Sequence, residues 1–214
     1  MPNVIPFSSQ EMLAVVVGAS FAAGVNVYAT VAVLGLLARF DYTQLPANLS
    51  ILENWWTIGA AGALFAVEFI ADKIPGVDLI WNALQTFVRV PVAGLLAFGA
   101  TGSMSPGAQV ASAVLASGIA FAANAGKMAL RTTVSASPEP LSNIGLSLVE
   151  DVAAVGLTWF ATQHPYLAAA IVAVLLLVVV LLIRLVWRTL KRWLAGARRQ
   201  WERLAGQMPR EASR

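Results

Sequence analysis

VEFIADKIPGVD, residues 67–78, places Glu68, Asp72, Lys73 and Asp78 at the end of an apolar run and then breaks off in Ile74-Pro75-Gly76. On a helix Glu68 and Asp72 stand four residues apart and share one face. In a water-soluble chain such a face would simply be hydrated. This chain is 58% hydrophobic and only 12% charged over 214 residues, with a mean hydropathy of +0.74. One soluble core cannot hide that much apolar surface, so the expected class is an all-α, multi-pass integral membrane protein. The acids of 67–78 then lie at the end of a membrane helix, where each ion needs a partner or water.

Working outward at about 20 apolar residues per crossing, six spans are expected, near 11–39, 55–73, 79–102, 107–133, 142–163 and 166–190. Pro-, Gly- and Ser-rich breaks such as Leu45-Pro46-Ala47-Asn48 and Ser103-Met104-Ser105-Pro106-Gly107 separate them. Asn82, Gln85 and Arg89 interrupt the third stretch, and a re-entrant segment there would lower the count to five. Trp55 and Trp56 fit an interfacial belt. The amino terminus, MPNVIPFSSQEM, lacks the basic flank of a signal peptide and runs directly into the first apolar stretch, which is therefore expected to be retained.

Charge is divided along the chain: residues 1–183 carry net −4 and residues 184–214 net +7. A basic segment directly after a span is expected to be cytoplasmic and to meet anionic lipid headgroups; nucleic acid is not an expected partner. With an even number of crossings, both termini are expected in the cytoplasm. Trp187, Leu190, Leu194, Trp201 and Leu204 follow one helical face, with Arg188, Lys191, Arg192, Arg198 and Arg199 around the rest. That pattern is a basic amphipathic helix lying at the membrane surface. The expected organisation is a membrane domain over 1–190 and a basic tail over 191–214.

Two weak likenesses suggest an internal repeat. Gly18-Ala19-Ser20-Phe21-Ala22-Ala23-Gly24-Val25-Asn26 lines up with Gly118-Ile119-Ala120-Phe121-Ala122-Ala123-Asn124-Ala125-Gly126, and the surroundings of Glu68 line up with those of Glu150. If each unit holds three spans (about 11–102 and 107–190), the second unit is inverted relative to the first, a plan common among secondary transporters. Gly18-xxx-Ala22 and Gly118-xxx-Ala122 also have the small-xxx-small spacing that lets backbones approach. Asn26 and Asn124 fall near mid-span beside glycine, where a loosened helix exposes carbonyls.

The candidate ion or substrate pathway is therefore Glu68, Asp72, Arg89, Asn26, Asn124, Lys127, Glu150 and Asp151, with Asn82 and Gln85 able to line the same space. The alternative for the charges is structural pairing, Glu68 with Arg89 and Glu150 with Lys127. No phosphate loop, Ser/His/Asp set or metal-ligand spacing occurs, so neither an enzyme nor a cofactor is expected. The single His164 sits at a helix end, and the absence of cysteine excludes thiolate chemistry.

The segments VEFIADKIPGVDLIWNALQTFVR, GLSLVEDVAAVGL and AAGVNVYATVAVLGLLARF resemble a family of bacterial integral membrane proteins described as a domain of unknown function. The shared signature is E-F-x-A-D-K-I-P-x-x-D. The resemblance implies a protein of the bacterial inner membrane and no particular activity. A looser similarity links the chain to cation exchangers made of two inverted three-span units, each with an acidic E-x-G-D-K-type motif. This chain departs from that motif, because Glu150-Asp151 has no lysine after it. The leading expectation is a small secondary transporter of an unknown solute, coupled to a proton or cation and able to form a homo-oligomer. The alternatives are a membrane scaffold with structural ion pairs, a divalent cation exchanger, and a membrane-embedded enzyme acting on lipid.

Overall fold

A computed structural model describes residues 7–74, 77–134 and 140–206. Among these the chain forms helices and no strand: α1 (Ser9–Val25), α2 (Val27–Arg39), a short 3-10 helix (Ala47–Glu53), α3 (Trp55–Ala71), α4 (Val77–Ala100), α5 (Pro106–Val134), α6 (Pro140–Gln163) and α7 (Pro165–Gly206). Helix starts carry their usual signals. Ser8 and Glu11 form a capping box on α1, the Asn54 side chain accepts from the Trp56 amide at 2.9 Å, and α5, α6 and α7 open on proline.

Four helices contain stretches long and apolar enough to cross a membrane: Ile80–Ala100, Pro106–Arg131, Ile144–Gln163 and Pro165–Leu185. Large apolar side chains line their outer faces, Phe87, Leu95, Val114 and Val152 among them. The inner contacts are made by small residues. Ala22, Ala23, Ala116, Ala120, Ala161 and Ala168 are fully buried, as expected where lipid is the solvent and close van der Waals packing holds helices together.

The expected first span, 11–39, is two helices. Asn26 has extended backbone angles (φ −151°, ψ 102°) and ends α1 while starting α2. Its side-chain oxygen accepts from the Ala29 amide at 3.0 Å, which caps α2. The two helices have 17 and 13 residues, about 25 and 20 Å, so each is shorter than a hydrocarbon core of about 30 Å. They also fold back. Phe7 and Met12 at the start of α1, Leu34 of α2, and Leu45 and Leu49 beyond α2 all pack in one cluster with Ala97 and Ala100 at the end of α4. The pair therefore enters and leaves by the same end of the bundle, with Asn26 at its tip. The third expected span, α4, is a continuous helix with Pro91 inside it.

The lined-up segments 18–26 and 118–126 run side by side in the same direction. Met12, Val16 and Ala19 pack with Ala116, Gly24 rests on the backbone of Ala120, and the Lys127 ammonium reaches the Val25 carbonyl. An inverted pair would run oppositely, so this likeness does not support an inverted repeat. The small-xxx-small expectation holds for Gly18, where a Cβ would come within 2.6 Å of that of Ala161; a Cβ on Gly118 would have nothing within 4 Å among the described residues.

Helix α7 continues far past its membrane stretch to Gly206, as the sequence suggested. Arg188 and Lys191 are exposed on it, and Lys191 lies 5.3 Å from the centre of the Trp187 ring. The side chains of Arg192, Arg198 and Arg199 lie outside the described set. This extension leaves the bundle at the end opposite Phe7 and Met12, since α7 passes Val172 beside Phe21 and then Val179 beside Gly126 on its way. The first described residues and the basic extension thus occupy opposite ends of the bundle.

Candidate functional site

The ends of α3 and α5, the first half of α4, the middle of α6 and the tip at Asn26 meet in one polar layer. Every charged candidate from the sequence is there and buried: Glu68, Asp72, Arg89, Lys127, Glu150 and Asp151, together with Asn26 and Asn124. Three helices supply the bases and acids at helical spacing. Lys127 and Arg131 are one turn apart on α5, Glu68 and Asp72 one turn apart at the end of α3, and Asp78, Asn82, Gln85 and Arg89 follow one face of α4.

Arg89, fully buried, bonds Glu68 and Asn124 through separate guanidinium nitrogens and donates to Asn82 Oδ1 at 3.0 Å. Asn124 passes the chain on by donating to Thr86 Oγ1 at 2.6 Å. Asn82 donates to Asp72 Oδ1 at 2.9 Å. Asp72 is the hub: its other oxygen receives Lys127 Nζ at 2.9 Å and Arg131 Nη2 at 2.8 Å. Arg131 also meets Glu150 Oε2 at 2.5 Å and lies 3.5 Å from Asp78 Oδ2. Asp151 accepts from the Asn26 amide at 3.0 Å, which ties α6 to the tip of the α1–α2 pair.

The expected pair Glu68–Arg89 forms directly. Glu150 lies 3.4 Å from Lys127, yet Arg131 is its nearer partner. Lys73 stands apart, half-buried, donating to the Phe69 carbonyl at 2.8 Å. Sequence reasoning left Arg131, Asp78 and Thr86 out of the pathway; Arg131 stands one turn from Lys127 on α5. Asp78 closes the same E-F-x-A-D-K-I-P-x-x-D signature as Glu68 and Asp72, and Thr86 sits one turn from Asn82, so spacing pointed to both.

Removing one member of a buried pair costs about 3–5 kcal/mol, because the other is left as an uncompensated charge. The layer is not balanced, however. Among the described residues five buried acids (Glu68, Asp72, Asp78, Glu150, Asp151) face three buried bases (Arg89, Lys127, Arg131). Several of its polar atoms, Glu68 Oε2, Glu150 Oε1, Asp151 Oδ2 and Gln85 Oε1, are buried with no hydrogen-bond partner among the described residues. Among those residues no three of His, Cys, Asp and Glu are grouped so as to hold a metal ion; the bases stand between the acids. Two outer grooves of ≈ 460 Å³ each, one beside Phe21 and Leu157 and one beside Tyr28 and Leu64, are lined by apolar and aromatic residues and carry no charged group.

No curated protein and no solved structure matches the chain. A family model does, and its match runs from α1 into α7, taking in every residue of the polar layer. The chain belongs to the family described as Domain of unknown function (DUF4126), which matches residues 13–185.

Proposed function

We propose that this protein is a small transporter of the bacterial inner membrane that couples movement of a solute to a proton or cation at the buried polar layer. The observation that supports it most is that Glu68 Oε2, Glu150 Oε1 and Asp151 Oδ2 are buried in the layer with no hydrogen-bond partner among the described residues. A carboxylate oxygen without a donor at membrane depth is costly, and a bound proton or cation is the economical way to satisfy it. The helix break at Asn26 adds to this reading, since discontinuous helices whose ends meet at a polar site are a recurrent device of transporters.

In the proposed topology α3 to α7 cross the membrane, α3 although it has 17 residues like α1, because the chain goes on from it into α4 at the far end of the bundle, while α1 and α2 dip in from the outer side and return to it. Five crossings put the amino terminus outside and the basic extension of α7 in the cytoplasm, where the positive-inside rule places it and where anionic headgroups attract it. Cysteines at Ser9, Asn48, Ser105 and His164 of this cysteine-free chain would then all label with an impermeant thiol reagent added outside. Labelling of the Ser9 site only from the cytoplasmic side would restore a six-crossing plan.

Transport itself is tested by flux into proteoliposomes, screened over ions and small metabolites at imposed pH gradients. Glu68→Gln is expected to abolish flux and leave a folded protein. A scaffold reading is favoured by a different observation: each of the three buried bases touches a carboxylate directly. Under that reading Glu68→Gln lowers stability, and adding Arg89→Gln recovers much of the loss in a double-mutant cycle.

A further inference from the structure

Four oxygens surround the Lys127 ammonium: Asp72 Oδ2 at 2.9 Å, the Val25 carbonyl at 3.2 Å, Glu150 Oε2 at 3.4 Å and Glu68 Oε1 at 3.7 Å. We infer that these four oxygens form a binding site for a free ammonium-type cation, ammonium itself or a small primary amine, and that Lys127 is its tethered occupant. The proposal rests on the reading of the polar layer as a transport site and names the class of cation it takes.

The helix break supplies the second, independent observation. In a continuous helix the Ala29 amide would bond the Val25 carbonyl; here it bonds the Asn26 side chain at 3.0 Å. That leaves the Val25 oxygen, at the negative end of α1, turned to the ammonium. The other oxygens of two of the same carboxylates, Glu68 Oε2 and Glu150 Oε1, are buried and without a partner among the described residues; Glu68 is fully buried and Glu150 8% exposed. A lysine ammonium donates three hydrogen bonds, fewer than the oxygens on offer. Asp72 and the Val25 carbonyl stand at N–H···O hydrogen-bond distance and Glu150 and Glu68 at ion-pair distance, all longer than calcium, at about 2.3–2.6 Å, or magnesium, at about 2.0–2.1 Å, would take.

Lys127 is also the base best able to leave. Arg89 and Arg131 hold their partners with planar forks that make several bonds at once, whereas a lysine carries a point charge on a flexible stem. With the lysine withdrawn, the arginines stay as walls and the excess of acid grows by one charge. Among the described residues the groups at the ammonium are then Glu68 and Asp72 at the end of α3, Glu150 of α6 and the Val25 carbonyl of α1, with Arg89 on Glu68 and Arg131 on Asp72 and Glu150 behind them.

The test is thermal unfolding of the purified full chain carrying Lys127→Ala, titrated at constant ionic strength with ammonium or methylammonium chloride against choline, sodium and calcium chlorides. The expected result is a lowered melting temperature that ammonium and methylammonium restore in a saturating way, as a ligand of the native state must, with the unsubstituted protein unmoved. Equal recovery in choline, recovery by sodium or calcium but not by ammonium, or no recovery would each overturn the proposal. If Lys127→Ala does not fold when solubilised alone, the readout is the folded yield obtained with methylammonium present against choline. A yield raised by methylammonium supports the site, and equal yields overturn it. Because this experiment reads binding, its failure is distinct from failure of the flux measurement that tests transport.

Discussion

Two stretches of this molecule share Gly, Phe, Ala and Ala in register, yet they meet opposite surroundings. On α1, Gly18 packs against Ala161 and Ala168, Phe21 is 8% exposed and Ala22 is fully buried. On α5, a Cβ on Gly118 would meet nothing within 4 Å among the described residues, and Phe121 is 57% exposed toward the outer face. Their asparagines differ as well. Asn26 stops a helix and caps the next one, while Asn124 sits inside a continuous helix with its side chain between Arg89 and Thr86. The sequence around each accounts for the difference. Asn26 lies between Val25 and Val27, with Thr30 and Val31 following, all β-branched and weaker helix formers; Asn124 is followed by Ala125, Lys127, Met128, Ala129 and Leu130, which favour helix. In alanine-rich membrane helices, then, a shared string of small residues fixes neither burial nor helix continuity. Neighbouring residues and the partner that each amide finds decide both.

The contrast can be broken hardest at α5, which is held by its charged end rather than by its Gly118 face. Arg131→Ala removes the base that Asp72, Asp78 and Glu150 share and leaves Lys127 to serve Asp72 and Glu150, and a loss of about 3–5 kcal/mol is expected for breaking so buried a set. Loss of monodisperse protein on gel filtration would register it, and a stable Arg131→Ala protein would show that the layer is not what holds α5.

The next effect is at the α1–α5 contact. A Cβ on Gly24 would fall 2.7 Å from that of Ala123 and press on the Ala120 backbone, so Gly24→Ala is expected to lower stability by about 1–3 kcal/mol through overpacking. Asn26→Ala should cost somewhat less, about 0.5–2 kcal/mol, for the lost cap of α2. Changes at Asp151 sharpen this: if its bond to Asn26 matters, Asp151→Asn and Asn26→Ala are non-additive in a double-mutant cycle. The smallest effect belongs to Gly118→Ala, where open space surrounds the new methyl and helix propensity favours alanine by up to about 1 kcal/mol. A destabilised Gly118→Ala protein would mean that this face has a partner.

The class of fold and the membership of the polar layer were legible because burial of charge in an apolar chain allows few arrangements. Once Glu68, Asp72, Arg89, Lys127 and Glu150 lie on membrane helices, the cost of exposing each to lipid brings them together. The positions of the breaks were legible too, from proline and glycine. What stayed hidden was set by a single residue's backbone: an extended Asn26 folds 11–39 back on itself, and hydropathy sums cannot register a reversal. A signal was present, since asparagine ahead of Val27-Tyr28-Ala29 is a favoured helix cap. The direction of α1 against α5 was beyond reach of a pairwise likeness, which carries no orientation. Asp78 was hidden by its place just past Pro75-Gly76, where a loop reading took precedence over its spacing from Asn82.

The central claim, that the acid-rich layer binds and releases a proton or cation as part of its work, is tested most directly by charge movement. Proteoliposomes adsorbed on a solid-supported membrane and stepped in pH report charge entering the protein. The account predicts a transient current from the unsubstituted protein that Glu68→Gln removes while its thermal unfolding shows a folded protein. Absence of any current from the unsubstituted protein, or an identical current from Glu68→Gln, would contradict it.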